Sequence, residues 1–166
     1  MSWTLRPATA NDTGAMSETL AIGFDGYREF AAPGWGPPDV RAAPELARMR
    51  ARLQAPSTWA TIAEERGLAA GHAGFFPQPG VPGSAHLWQL FLRPPWWGTG
   101  LASELLWCAR DAAAAQGYRR MRLYTPRDQA RARAFYEREG FRHTGWEGYE
   151  EPLGLVLVEY AREPLA

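Results

Sequence analysis

Gly98 and Gly100 flank a threonine in the stretch Trp97-Gly98-Thr99-Gly100-Leu101-Ala102, directly before an apolar, helix-forming run. Glycine lets a backbone approach a ligand closely because it has no Cβ. The first N–H groups of a helix have no intrahelical partner, and with the helix dipole they favour an anion such as phosphate. Two readings fit this stretch: a phosphate cradle at the end of a strand, or a tight strand-to-helix turn. It is not a P-loop, since all 18 basic residues are arginine and lysine is absent. It is a poor dinucleotide fingerprint as well, with no third glycine and no clear strand and acid about 20 residues further on. His72, His86 and His143 have no partner spacing suited to a metal, and no Cys/His cluster exists, so no metal site is expected. Cys108 falls on the apolar side of a helical pattern and reads as core, not as a nucleophile. Arg119, Arg120, Arg122, Arg127, Arg131 and Arg133 form a local basic cluster that could serve one anionic ligand.

The elements that must position these groups are legible from periodicity. Trp3–Arg6 alternates as a strand. Ala8–Asp12 offers N-caps for a helix carrying Met16, Leu20 and Phe24, and Pro/Gly-rich 31–39 is loop. A second amphipathic helix places Val40, Leu46, Met49 and Leu53 on one side. Strands follow at Thr58–Ala63, Leu68–Phe76 and His86–Leu92, the first two joined by a hairpin turn at 64–67. A helix is predicted from Gly98 to Gln116, closed by Gly117, then a strand over Met121–Thr125. Asp128 is placed to cap a helix running through Glu139, closed by Gly140. Arg142–Trp146 and Leu155–Tyr160 complete the strands. The order β-α-α-β-β-β-α-β-α-β-β is that of an α/β or α+β domain with helices packed on a sheet, and 86–125 should form a right-handed parallel crossover.

The 166 residues suit a single domain, 1–166, with a full-sized core. With 46% apolar and 22% charged residues, the composition is that of a globular protein. Formal net charge is zero, so no general field draws in nucleic acid or an anionic membrane. No apolar run approaches the roughly 18 residues of a membrane span. The single cysteine excludes an internal disulfide, and the N-terminal stretch lacks the pattern of a signal peptide; both suit a reducing cytoplasm. The arginine-only basic set reads as the codon usage of a GC-rich, bacterial genome.

Two segments together give a resemblance. Trp97-x-x-Gly100-x-Ala102 sits in the frame Gln/Arg-x-x-Gly-x-Gly/Ala, and Gln129-x-x-Ala132-x-x-Phe135-Tyr136-x-x-x-Gly140-Phe141 matches Asn-x-x-Ala-x-x-Leu/Phe-Tyr-x-x-x-Gly-Phe. With the opening Leu5-Arg6-Pro7-Ala8-Thr9, the chain resembles the GNAT superfamily of acyl-CoA-dependent N-acyltransferases over nearly its whole length. The resemblance implies a mixed, mostly antiparallel sheet of six to seven strands with about four helices. It implies acetyl-CoA as cofactor, with the pyrophosphate on Trp97, Gly98, Thr99, Gly100, Leu101 and Ala102, and further contacts from Gln129, Ala132 and Phe135. It implies that the strand around Leu90, Phe91 and Leu92 splays from its neighbour and offers free amides to the acyl-pantetheine arm. Trp97 replaces the family's Gln/Arg and Gln129 its Asn, so two polar contacts differ.

Acyl transfer to an amine needs a base for the amine, stabilisation of the thioester oxygen and a proton for the leaving thiolate. The resemblance assigns the last role to the phenol of Tyr136, protonated at neutral pH. Counting back from the glycine motif puts His86 at the family's base position; Glu150 and Glu151, or a water relay, are the alternatives. Alternation places His86, Trp88, Leu90 and Leu92 on one strand face. The family's acceptor site draws here on Phe24, Tyr27, Phe30, Trp35, Trp88, Trp146, Tyr149 and Glu150, which suits a small cationic amine with an apolar portion. The expected activity is acetyl transfer to a primary amine of a small molecule by direct attack in a ternary complex. The alternatives are a non-catalytic acyl-CoA-binding sensor and a different nucleotide-binding α/β domain. Homodimers are common in the family, but no sequence feature fixes a mode of association.

Overall fold

The computed structural model describes residues 2–166. Strand β1 (Thr4–Pro7) leads into a short 3-10 turn and helix α1 (Thr13–Gly26). Thr9 and Asp12 form a reciprocal capping box there, Asn11 N–H donating to Thr9 Oγ1 at 3.2 Å and Thr9 N–H to Asp12 Oδ2 at 2.8 Å. Arg6 clamps the same carboxylate at 2.8 Å and Glu64 at 2.6 Å, fixing the start of α1 to the sheet. Helix α2 (Ala43–Gln54) starts with proline in its first turn. Val40 therefore precedes the helix instead of lying on it, but it is buried all the same.

Strands β2 (Trp59–Glu65), β3 (Leu68–Pro77) and β4 (Ser84–Leu92) form an antiparallel meander. Helix α3 (Leu101–Ala115), β5 (Arg120–Pro126), helix α4 (Ala130–Arg138), β6 (Arg142–Glu150) and β7 (Leu155–Arg162) complete the chain. The helices end where the glycines predict: Tyr118 N–H bonds Ala113 O at 3.0 Å around Gly117, and Phe141 N–H bonds Tyr136 O at 2.9 Å around Gly140. Helix α3 starts three residues later than Gly98. Asp128 does not cap α4: Gln129 holds the N-cap position without a side-chain bond, and Asp128 pairs with Arg127 at 3.3 Å.

The seven strands lie in the order β1-β2-β3-β4-β5-β7-β6. Only β4 and β5 run parallel, the crossover through α3 that the sequence predicts. Helices α1 and α2 cover one face around Met16, Leu20, Met49 and Ile62. Helices α3 and α4 cover the other, where Leu106, Ala109 and Tyr136 pack on Leu87, Leu123 and Tyr160. No helix among the described residues is long and apolar enough to cross a membrane.

Candidate active site

The β4/β5 ladder stops almost as soon as it starts. Ser84, Ala85 and His86 pair with Arg120, Met121 and Arg122, and beyond that the two strands separate. On its other side β4 stays paired with β3 up to Gly71↔Leu92, and Arg93 N–H continues the ladder to Ala70 O at 2.8 Å. Backbone groups alternate in direction along an antiparallel strand. If Arg93 points at β3, then Phe91 does too, and the N–H groups of Leu90 and Leu92 point into the gap before β5. A notch lined by unpaired amides results.

A bulge shapes the same strand. Gly74 pairs with Gln89 but Phe75 with Leu87, which leaves Trp88 as the extra residue. Strict alternation therefore fails, and the expectation that His86, Trp88, Leu90 and Leu92 share a face is corrected. Leu87 and Leu90 both pack on the α3/α4 side, whereas Trp88 and Phe91 pack on the α1/α2 side.

The strand runs out at Arg93, which reaches back to α1 through Thr19 Oγ1 (2.9 Å) and Ala15 O (3.1 Å). A 3-10 turn, Pro94–Trp96, then sets up the glycines. The two tryptophans have different tasks. Trp96 is buried, its indole N–H donating to Glu65 Oε1 at 2.8 Å, and wedges the turn against β2. Trp97 is 46% exposed and donates to Leu92 O at 3.0 Å, with the Arg131 guanidinium 5.7 Å from its ring centroid. Gly98 and Gly100 have φ of +70° and +92°, and a Cβ on either would meet nothing within 4 Å. The space around the helix N-terminus is open, and α3 has no capping side chain at Gly100. Among the described residues no protein group accepts from the N–H of Gly98 or Gly100. Bare amides, an open approach and a helix N-terminus together fit a pyrophosphate.

Notch and turn open on one cleft of about 1310 Å³, above the roughly 300–1,000 Å³ of a pocket for one small molecule. Two ligands fit better than one. The cleft is lined by His86, Trp88, Leu90, Phe91, Leu92, Trp97, Gly98, Gly100, Ala102, Gln129, Ala132, Phe135 and Tyr136, and opposite them by Phe24, Tyr27, Phe30 and Glu150. Tyr136 is buried, and its hydroxyl makes no hydrogen bond among the described residues. Burial holds its pKa well above the ordinary value, so the phenol keeps its proton. Tyr27 is raised likewise, first by burial and then by the proximity of Tyr136.

Six predicted residues lie outside the cleft lining, Trp35 and Glu151 among them. Leu101 is fully buried in the core and Thr99 is held to Trp96 O at 2.6 Å; neither side chain lines the cleft. Trp146 and Tyr149 stand on β6, an edge strand with nearly every residue exposed, and are 45% and 65% exposed outside the cleft lining. Trp146 packs on Tyr124 instead, ring centroids 4.9 Å apart at a tilt of 41°.

His86 is in the cleft, but its expected role is corrected. Arg122 Nε–H donates to its Nδ1 at 2.8 Å. A neutral imidazole has one lone pair and one N–H. With the lone pair taken, the proton sits on Nε2 and the ring offers the cleft a donor, not a base. Burial, then the charges of Arg122 and Arg52, push its pKa down to about 4. Two residues escaped sequence reading. Gln89 lies in the cleft lining, and His72 lies fully buried behind it with Nε2 2.7 Å from Gln89 Oε1. For His72 the available signal was a lone polar side chain within an otherwise apolar strand; Gln89 shares its strand with Ser84 and His86 and carried no such signal.

The arrangement is that of an acyl-CoA-dependent transferase domain. The family described as Acetyltransferase (GNAT) matches residues 24–141. The chain is also 28% identical, over 92% of its length and 93% of the relative's, to an uncharacterized N-acetyltransferase, YhfO, of Bacillus subtilis. Its fold matches an N-acetyltransferase from Staphylococcus aureus (TM-score 0.77, 19% identity, all of both chains). It also matches PaiA N-acetyltransferase from Thermoplasma acidophilum in complex with coenzyme A (TM-score 0.74, 17% identity, 98% and 99% of the chains). The chain belongs to the GNAT acetyltransferase family, whose cofactor is acetyl-CoA.

Proposed function

We propose that the chain moves an acetyl group from acetyl-CoA to the primary amine of a small molecule by direct attack in a ternary complex. One observation carries this reading: unpaired Leu90 and Leu92 amides, the glycine turn and the unpartnered Tyr136 phenol all border one cleft with room for a second ligand. When bound, acetyl-CoA supplies an electrophilic thioester. The amides of the glycine turn hold its pyrophosphate, and Trp97 with Arg131 flanks that turn. The N–H groups of Leu90 and Leu92 hold the pantetheine amides and take up charge on the thioester oxygen. Tyr136, kept protonated by burial, would stabilise the departing sulfur as a hydrogen-bond donor without giving up its proton, the thiolate taking its proton from water. The acceptor enters between Phe24, Tyr27, Phe30 and Trp88. With His86 spoken for by Arg122, the amine proton leaves through water toward the carboxylates at the rim, among them Glu150.

The free Tyr136 hydroxyl favours turnover over a sensor, because acyl-CoA binding alone needs no hydrogen-bond donor at the sulfur. The test is calorimetric titration of acetyl-CoA followed by thiol release with a panel of amines. Binding and amine-dependent thiol release are expected. Binding with no release from any amine would leave the sensor reading in its place.

A further inference from the structure

The floor of the acceptor half is built from two side chains, each held by one end. His72 is fully buried and its Nδ1 has no partner. A buried N–H without an acceptor is rarer and costlier than an unused lone pair. The proton of His72 is therefore on Nε2, donating to Gln89 Oε1 at 2.7 Å. That bond turns the Gln89 amide NH2 away from His72. Gln89 is only 8% exposed, lines the cleft, and its amide nitrogen meets no acceptor among the described residues. His86, held through Nδ1 by Arg122, presents Nε2–H from the same strand to the same cleft. The bulge at Trp88 is what brings the two onto one side of the sheet. Positive charge backs them: Arg122 at His86 itself, and Arg52, 3.8 Å over the Phe76 ring that packs on His86. Glu159 offsets part of the Arg122 charge at 3.2 Å. The carboxylates of the cleft lining, Glu29, Asp128 and Glu150, are exposed at its rim, and Glu45 is already paired with Arg48.

We infer that the acceptor amine also carries a carboxylate, or a like oxygen anion, held on the sheet floor by the Gln89 amide N–H and the His86 Nε2–H. An acceptor with an amine alone would cover these two cleft donors without meeting them, which a site of this polarity penalises. The inference rests on the transferase reading for what is acetylated, not for what is bound.

The test uses N-acetyl amino acids and their matched N-acetyl carboxamides, titrated by calorimetry into the protein saturated with coenzyme A. The carboxylates should bind at least about tenfold tighter. Gln89→Glu, which keeps the size and the bond from His72 but points an oxygen into the cleft, should abolish that preference. His86→Phe should weaken it. Equal or tighter binding of the carboxamides, no carboxylate binding at all, or a preference untouched by both variants would overturn the inference. Thiol release separates the two ideas. Carboxylate preference without turnover of the parent amino acids sinks the transferase reading alone; turnover of simple amines with no carboxylate preference sinks this one alone.

Discussion

Trp35 donates its indole N–H to the carbonyl of Leu153 at 2.9 Å, joining the loop after α1 to the turn between β6 and β7. The contact is close enough that a Cβ on Gly154 would sit 3.2 Å from the Trp35 ring nitrogen. Both loops border the acceptor side of the cleft, through Phe30 on one and Leu153 on the other. Trp35→Phe removes one hydrogen bond, about 1 kcal/mol. It should raise the acceptor KM several-fold, with kcat and acetyl-CoA affinity little changed. Steady-state kinetics decide it; a fall in kcat at constant KM would show that the link serves chemistry instead.

Tyr136→Phe keeps the ring in its cluster with Phe135, Phe141 and Tyr160 and loses only an unbonded hydroxyl. Stability should change by less than about 1 kcal/mol and acetyl-CoA affinity by less than about twofold, while kcat falls roughly 100-fold. Full activity in the variant would remove the phenol from the mechanism.

At Gly100 conformation and space make separate contributions. A methyl group meets nothing, but φ is +92°. Gly100→Ala should therefore cost about 1–2 kcal/mol from backbone strain alone. Gly100→Glu should cost about the same in stability yet eliminate acetyl-CoA binding, because its carboxylate enters the space proposed for phosphate. Denaturant melts beside calorimetry would show the split. Retained binding in the glutamate variant would place the phosphate elsewhere.

His86 in the cleft and His72 buried behind it are both held neutral. Burial, then Arg93 working against the Gln89 bond, leaves His72 with a pKa of about 4, and His86 is also pushed down to about 4. In the unfolded chain each returns to about 6.5. Between those values the unfolded chain binds more protons, so stability falls as pH drops from about 6.5 to about 4 and does not depend on these groups above pH 7. For fully buried His72 the loss is on the order of 3 kcal/mol. Asp12 follows the opposite pattern of charge: Arg6 holds its carboxyl below the usual range, so its contribution persists above the ordinary carboxylate pKa and is lost on further acidification. Urea melts from pH 8 to 4.5 should show a plateau and then a decline, with a shallower decline in His72→Leu. A flat profile throughout would mean that both histidines protonate freely in the folded protein.

Much of this was legible in advance for a physical reason. Gly117 and Gly140 end helices through local bonds, and the periodic runs of α3 and β7 bury faces that their own spacing defines, so neither needs knowledge of distant residues. The Tyr136 and glycine motifs sit on such elements. Reading failed where a partner came from far along the chain. The Trp88 bulge depends on pairing with β3, and it moved Leu90 to the other face from His86. The lone pair of His86 is taken by a residue 36 positions away. Trp146 and Tyr149 have the right composition for a binding wall but lie on the edge of the sheet, a position set by the strand order.

The short register between β4 and β5 makes the sheet of this protein incomplete by its own backbone. In the proposed binding mode a pantetheine chain, with its two amides, would fill that gap as a strand does, making the acyl donor a structural part as well as a reactant. Occupancy then couples metabolism to folding: the protein should melt later and resist proteases better when acyl-CoA is plentiful, by RT ln(1 + [L]/Kd). Amide exchange at Leu90 and Leu92 should slow selectively when the donor is bound.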